Sequence, residues 1–166
     1  CEQKADELAK YVWDRRHEFH YTGLTAMPED AFDMAMNFEG KPFVITDSGD
    51  NTTSGAPGWN TYVLRQFLAV KDLKKSVLFG SIRDAQSYAV LQPLQKGERT
   101  TIHLGVNYNY LSEPVDLEVE VVSRSDIFIQ HGEGLIGTKG NGILVHVVNS
   151  PIDIIVADQT GRVTNA

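Results

Sequence analysis

The amino-acid sequence predicts a mixed α/β fold, with helices and a βαβ unit first and a β-rich second half, built around one mixed sheet. Three observations support this prediction. Apolar residues recur at helical spacing as far as residue 38. A strand–helix–strand pattern then runs from Lys41 to Ile82. After Gly97, apolar and charged residues alternate as they do in strands with one solvated face.

Two helices are predicted before residue 40. The first carries an apolar stripe on one face and charged residues on the other. The second begins at Pro28, whose fixed φ suits the first helical position, and Gly40 stands where a C-terminal cap is expected. Both stripes are predicted to face the core rather than a cofactor. They consist of Ala5, Leu8, Ala9, Val12, Trp13 and Phe19, and of Met27, Ala31, Met34, Ala35 and Phe38.

A right-handed βαβ unit with parallel strands is predicted next. Lys41–Thr46 is a short apolar run typical of a buried strand, Asn60–Val70 has helical spacing, and Ser76–Ile82 is a second strand-like run. Asp84–Gln92 predicts a further helix, with Asp84 as its N-cap.

The second half predicts mostly strands. Thr100–Val106 is one, and in Val115–Val121 the apolar residues alternate with Asp and Glu, which predicts a strand with one solvated face. The segment His131–Gly142 is rich in turn residues. Three more strands are predicted at Ile127–Gln130, Ile143–Val148 and Ile152–Ala157.

Composition predicts one globular domain over residues 1–166, with 42% hydrophobic and 22% charged residues. The net charge of −7 argues against a general nucleic-acid binder, which needs clustered Lys and Arg. No apolar run reaches the ~20 residues of a membrane span, and no secretory segment is present, so no membrane partner is expected.

The single cysteine, Cys1, excludes an internal disulfide framework and a Cys-rich zinc site. A reducing, cytoplasmic location is the simplest expectation. Because the first residue is not Met and a helical pattern begins at once, the chain is expected to be a fragment of a longer polypeptide.

The loop Asp47–Trp59 carries the strongest functional signal. Asp47, Asp50 and Asn51 follow a predicted strand, at the end where open α/β sheets place ligands. They could bind a metal, orient a substrate or act in a catalytic pocket; alternatively, they satisfy the backbone N–H groups of tight turns. The spacing matches neither a calcium loop nor a nucleotide or dinucleotide fingerprint.

The glycine-rich end of this loop has two readings. Gly55–Gly58 precedes a predicted helix, where free N–H groups can bind an anion. Pro57 lacks one of those donors, so a plain turn is favoured.

The histidines predict no catalytic or metal site. His17 and His20 are three residues apart, whereas a zincin helix has its two histidines four apart. A solvated or partly buried pair is expected. His103, His131 and His146 each lie alone and are predicted to be structural, and no nucleophile-elbow sequence is present.

Together with its flanks, the loop resembles the C-terminal domain of the microcystinase C (MlrC)-like metallopeptidases. The family pattern is Asp-x-x-Asp-Asn-Pro-Gly-Gly-Gly-Ala-Pro-Gly-Asp. Matching residues are Asp47, Asp50, Asn51, Gly55, Ala56, Pro57 and Gly58. The resemblance extends over nearly the whole chain, through Trp13, Arg16 and Phe19, Ile82-Arg83-Asp84, and Ile152–Val156. The chain departs from the pattern at Thr52, Thr53, Ser54, Trp59 and Ala85.

The resemblance implies a companion domain in a zinc-dependent peptidase or amidohydrolase that acts on a small peptide or amide. The zinc ligands of that family belong to an N-terminal domain, so the resemblance assigns no metal ligand and no catalytic residue to this chain. It implies that the glycine-rich loop shapes a substrate cleft with that N-terminal domain. The residues implied in substrate binding or its support are Asp47, Asp50, Asn51, Gly55, Pro57, Gly58 and Asp84.

A second hypothesis is a non-catalytic domain that binds a ligand or a protein. The departures at residues 52–54 and at Trp59 motivate it. An exposed aromatic side chain beside a polar loop is typical of contact surfaces.

Overall fold

The computed structural model of this chain describes residues 1–52, 55–131 and 135–158, and for residues 127–131 and 135–139 it describes the backbone. Contacts group the chain into two units, Cys1–Glu39 and Gly40–Ala166. That residues 1–166 form a single domain therefore stays a prediction, because this grouping into two units does not test whether they fold as one domain.

The first unit contains two helices, α1 (Glu2–Asp14) and α2 (Pro28–Asn37). Pro28 is the first helical residue, as predicted. Helix α1 ends before Phe19, and α2 is capped by Phe38 rather than by Gly40. No residue of either helix is buried, so the prediction that their stripes face the core is wrong. A unit of this size is too small to enclose an apolar core of its own.

The second unit is built on one mixed five-stranded sheet, which confirms the predicted fold class. The strand order is β1-β5-β4-β3-β2, and β1 and β5 are parallel while the other neighbours are antiparallel. The strands are β1 (Val77–Arg83), β2 (Arg99–Leu104), β3 (Val115–His131), β4 (Leu135–Val147) and β5 (Ile152–Ala157).

The alternation in the sequence sets which face of β3 is buried. Leu117, Val119 and Val121 are buried, and the acidic residues between them point to the other face. Strand β5 is apolar at nearly every position and is buried at nearly every position, as expected for a strand covered on both faces. Its predicted bounds, Ile152–Ala157, are confirmed.

Two helices of the second unit complete its core. Helix α3 (Tyr62–Leu68) buries Leu64 and Phe67, and the Phe67 ring meets the Phe79 ring of β1 edge-on at 6.0 Å. Helix α4 (Ala85–Leu91) buries Leu91 and is capped by the Asp84 side chain, as predicted. In the described ranges, no helix has the length and apolarity to cross a bilayer.

Two strand predictions are wrong. Lys41–Thr46 is irregular and exposed, and it pairs with none of the five strands, so the first strand of the predicted βαβ unit is missing. A short apolar run becomes a strand only where a neighbour accepts its backbone hydrogen bonds. Ile127–Gln130 is not a separate strand, because β3 continues through it to His131.

The predicted turn segment His131–Gly142 is mostly strand. Strand β4 begins at Leu135 and pairs with β3 through this segment, for example Ser125 with Gly142. Cross-strand pairing outweighs the poor strand propensity of its glycines. Residues 132–134 lie outside the described part of the chain.

Gly105, which follows β2, must remain glycine for two reasons. Its φ is 126°, and an added Cβ would lie 2.7 Å from the Pro114 Cα and 3.0 Å from the Glu113 carbonyl oxygen. A side chain would therefore impose backbone strain and a clash with main-chain atoms.

We predict that Gly105→Ala lowers the free energy of unfolding by about 3 kcal/mol, from strain and overpacking together. Gly97→Ala is the matched control, because Gly97 also has a positive φ, 86°, but an added Cβ would meet nothing within 4 Å. The control should lose about 1 kcal/mol. Urea denaturation of both variants measures the difference, and equal losses would show that the contact with Pro114 is unimportant.

Candidate functional site

Two carboxylates hold the loop that precedes helix α3 in shape. Asp50 Oδ1 accepts a hydrogen bond from the Gly58 N–H at 2.8 Å, and its Oδ2 accepts one from the Asn60 N–H at 2.8 Å. Asp47 Oδ1 accepts from the N–H groups of Gly49 and Asp50, at 2.8 and 3.2 Å. Both side chains therefore satisfy backbone donors within the loop, which is the structural role expected of Asp in tight turns.

Asn60 links this loop to helix α3. Its Nδ2 donates to Asp47 Oδ2 at 3.0 Å, and its Oδ1 accepts from the Tyr62 N–H at 2.8 Å. Sequence patterns do not single out Asn60 as part of the site. The available signal was an Asn immediately before an apolar helix, a position where its side chain commonly satisfies the first N–H groups.

The glycines of the loop adopt backbone conformations that favour glycine. Gly55 has φ 93° and Gly58 has φ 74°. The Gly58 N–H is used by Asp50, which supports the plain turn over an anion site. The Gly58 carbonyl oxygen accepts from the Arg83 N–H at 2.7 Å and so fixes the loop to the end of β1.

The Asp84 carboxylate, near the loop, accepts four hydrogen bonds in the described structure. It is 3% exposed. Its Oδ1 accepts from the N–H groups of Gln86 and Ser87, at 2.9 and 3.1 Å. Its Oδ2 accepts from the Ser87 hydroxyl at 3.1 Å and from the Gly105 N–H at 2.9 Å. One buried carboxylate thus joins the end of β1, the start of α4 and the segment after β2.

Two cavities adjoin these braced segments, and Trp59 lines both. The larger, of about 400 Å³, is lined by Trp59, Arg83, Asp84, Ala85, Gln86, His103, Gly105, Val106 and Asn107. The smaller, of about 180 Å³, is lined by Gly49, Asp50, Pro57, Trp59, Asn60, Tyr108, Asn109, Leu111 and Ser112.

The Trp59 side chain is half-buried rather than exposed, contrary to the expectation from sequence. Its ring lies 5.8 Å from the Tyr108 ring, centroid to centroid. The aromatic surface that it offers is therefore a wall of two cavities and not a free surface residue.

His103 lies on the wall of the larger cavity, although it was predicted to be structural. Its Nδ1 is 2.7 Å from Asp116 Oδ1, across the β2–β3 pair, and both side chains are mostly exposed. Because a carboxylate only accepts hydrogen bonds, this contact favours a proton on Nδ1 and orients the ring.

The structure brings together only part of the predicted set. Asp50 and Pro57 line the smaller cavity and Asp84 lines the larger. Asp47, Asn51, Gly55 and Gly58 build the loop without lining either cavity. Thr53 and Ser54, two of the predicted departures from the family pattern, lie outside the described residues.

Sequence patterns do not identify Arg83, His103 or Tyr108 as lining residues. Arg83 ends strand β1, and the carboxyl end of a strand in an α/β sheet is a common ligand position. That position was a usable signal for Arg83. The position of His103 at its cavity depends on the pairing of β2 with β3, and that of Tyr108 depends on the path of the segment after β2.

Within the described ranges, no three His, Cys, Asp or Glu side chains are placed to hold one metal ion. His17 and His20 are both exposed, and His20 Nδ1 lies 2.9 Å from the Glu18 carbonyl oxygen. These residues do not fit a metal site by themselves.

Comparison with known proteins identifies one family. The family model for the MlrC C-terminus matches residues 45–165. No match is found among proteins with curated functions. The crystal structure of a protein from Mesorhizobium sp. BNC1, described as "Putative metallopeptidase", aligns with a TM-score of 0.70 at 15% identity. The alignment covers 92% of this chain and 30% of that one, and it shows a shared fold.

We predict that Asp84→Asn lowers the free energy of unfolding by about 3 kcal/mol. An amide has one acceptor oxygen, so in either orientation at least one backbone N–H that Asp84 now satisfies, such as that of Gly105, loses its partner. Asp116→Asn is the matched control, since the exposed Asp116 contacts only an exposed histidine in the described structure, and it should change stability by less than about 1 kcal/mol. Urea denaturation measures both variants; similar losses would contradict a bracing role for Asp84.

Proposed function

This chain belongs to the MlrC C-terminal domain family, and we propose that it is the companion domain of a metal-dependent peptidase or amidohydrolase, where it forms one wall of the substrate cleft. The observation that carries this proposal is the pair of cavities that share Trp59, because the family loop and the Asp84 junction frame them. A cytoplasmic location belongs to the same proposal.

The division of chemistry follows from the side chains that are available. A zinc ion held by a preceding N-terminal domain would supply a water molecule with a pKa lowered toward neutrality. The described residues of this chain offer hydrogen bonds, an aromatic wall and a guanidinium, but no grouped metal ligands. Their proposed part is to bind and orient a small peptide or amide substrate.

We assign Asp47 and Asp50 a positioning role in this function. Their described hydrogen bonds go to N–H groups of the loop and to Asn60, so these carboxylates fix the loop that carries Trp59. Asn51 belongs to the same turn, and its carbonyl oxygen accepts from the Ala56 N–H at 3.2 Å. Direct substrate contact is assigned instead to the other residues that line the cavities, such as Trp59 and Arg83.

The proposed partner is the N-terminal metal domain of the same polypeptide, and the first unit supplies the surface for it. Large apolar side chains that the described residues leave exposed are concentrated there. Such concentrations mark interaction surfaces. The Mesorhizobium chain is much longer, since this chain spans 30% of it. The exposed apolar residues of the first unit are Leu8, Tyr11, Val12, Trp13, Phe19, Tyr21, Leu24, Met27, Met34 and Phe38.

A second candidate function is a non-catalytic domain that binds a ligand or a protein. Trp59 favours it, because an aromatic residue stands where the family pattern has Asp and lines both cavities. The coding sequence upstream separates the two functions: a His, Asp and Glu metal-ligand set in frame supports the enzyme, and its absence supports the binding domain.

In the full-length polypeptide, we predict that Trp59→Ala raises KM for a cleaved peptide about tenfold without changing the metal content, since truncating an aromatic wall removes binding surface. Peptide hydrolysis assays and metal analysis of the purified protein measure both quantities. Val90→Ala is the control, because Val90 is exposed on α4 and lines neither cavity. An unchanged KM in the Trp59 variant, or hydrolysis that survives metal removal, would refute the proposed function.

We further predict that the backbone amides of α1 exchange with deuterium at least about tenfold more slowly in the full-length polypeptide than in residues 1–166, because a docked helix opens less often. Hydrogen-exchange mass spectrometry measures this ratio on peptides from Glu2–Asp14. Strand β5 lines neither cavity and is buried at nearly every position, so it is the internal control and should exchange equally in both proteins. Equal exchange of α1 in both would argue against docking of the first unit.

A further inference from the structure

Arg83 is a half-buried cation without a side-chain partner among the described residues. It ends β1, its backbone N–H is held by the Gly58 carbonyl oxygen at 2.7 Å, and its side chain lines the larger cavity. Its Nε is buried and has no hydrogen-bond partner within residues 1–52, 55–131 and 135–158. No carboxylate of the described residues lies within ion-pair distance of its guanidinium.

The other arginines of the described part differ from Arg83 because each has an acceptor for at least one guanidinium nitrogen, although the Arg65 Nε is also buried without a partner. Each has a hydrogen-bond acceptor for its guanidinium: Arg15 the Tyr11 carbonyl, Arg16 the Trp13 carbonyl, Arg65 Glu113, Arg99 Glu120, and Arg124 the carbonyls of Leu91 and Leu94. In a chain of net charge −7, acidic partners are plentiful. Arg83 is therefore an exception among these arginines. Its unpaired, half-buried guanidinium on a cavity wall has donors available for an acceptor group of a ligand.

The carboxylate next to Arg83 in sequence does not pair with the Arg83 guanidinium. Asp84 follows Arg83 directly, but all four of its acceptor positions are used by Gln86, Ser87 and Gly105. Its carboxylate is therefore committed to the junction rather than to the guanidinium. Arg83 is the permanently charged cation among the described residues that line the larger cavity.

We propose that Arg83 binds a carboxylate group of the ligand in the larger cavity, with an apolar part of the same ligand against Trp59. The guanidinium fork matches the two oxygens of a carboxylate, and the indole offers a flat apolar wall. Gln86 and Asn107, which line the same cavity, add neutral hydrogen-bonding groups. The proposal rests on the proposed function for identifying this ligand as a peptide substrate with a free carboxylate.

The lining favours a carboxylate over a phosphate. One guanidinium matches a single negative charge, whereas a doubly charged phosphate normally needs several cations or a run of backbone donors. Asp84 is also on the wall, and His103 is already paired with Asp116, so extra negative charge is disfavoured.

Binding can be measured in the 166-residue chain without any catalysis. Trp13 and Trp59 are its only tryptophans, so Trp13→Phe leaves the Trp59 indole N–H as the single indole signal in a ¹H–¹⁵N spectrum. The probes are N-acetylphenylalanine, its uncharged amide, and inorganic phosphate. The amide keeps the ring and removes the charge, while phosphate keeps charge and removes the apolar part.

N-acetylphenylalanine is expected to shift the Trp59 signal saturably and to bind at least about tenfold more tightly than the amide or phosphate. Arg83→Gln should weaken its binding at least about tenfold, and Arg99→Gln, which removes an exposed and paired arginine, should leave binding unchanged. Equal binding of acid and amide, equal binding of phosphate, no saturable shift, or an unaffected Arg83→Gln variant would each overturn the proposal.

Folding of each variant is checked by far-ultraviolet circular dichroism. If Arg83→Gln does not fold, Arg83→Lys replaces it: a fork-specific site should lose affinity although the charge is kept, and undiminished binding overturns the proposal. Failure of this titration leaves metal-dependent hydrolysis by the full-length polypeptide to be tested separately. Conversely, if the full-length protein hydrolyses no peptide, the binding of N-acetylphenylalanine at Arg83 in the 166-residue chain still stands or falls by this titration alone.

Discussion

The buried carboxylate of Asp84 is the constraint on which the rest of the second unit depends. Its four hydrogen bonds fix three segments that are distant in sequence, namely the end of β1, the start of α4 and Gly105 after β2. A buried charge of this kind is tolerated only when donors surround it. Since the adjacent Arg83 N–H holds the Gly58 carbonyl, the same junction also sets where the loop before α3 lies. This junction lines the larger cavity, and the loop that it holds through Gly58 lines the smaller one.

The acidic residues of the family motif therefore act mainly through the backbone. Asp50 closes the loop by accepting from Gly58 and Asn60, and Asp47 accepts within the turn and from the Asn60 amide. Substituting either one changes loop geometry and stability together, because the freed N–H groups lose their acceptors. Effects on binding and on folding can be separated at Trp59 and Arg83, whose side chains line cavities without bracing the loop.

Patterns among residues close together in sequence predict much of this fold. The rest depends on which strands and segments meet in the folded chain. The cap at Asp84, the alternation in β3 and the bounds of β5 follow from residues close together in sequence, and the structure confirms them. Lys41–Thr46 has the same apolar character as a strand but no neighbour to pair with, a property that no local pattern records. Arg83 and His103 were missed for a similar reason: a cavity is made by segments that meet only after the sheet has formed.

The proposed function separates recognition from hydrolysis, and this separation would allow the loop sequence to vary. If the metal is held by another domain, the wall that carries Trp59 can change without disturbing the ligands that activate water. Trp59 stands where the motif quoted for the resemblance has Asp, while Asp47 and Asp50, which brace the loop, match that motif. Trp59 and Arg83 line the same cavity, and an indole at position 59 adds no negative charge that would compete with a carboxylate ligand for the guanidinium. In the proposed carboxylate site, Trp59 and the unpaired guanidinium of Arg83 therefore contribute to one ligand preference.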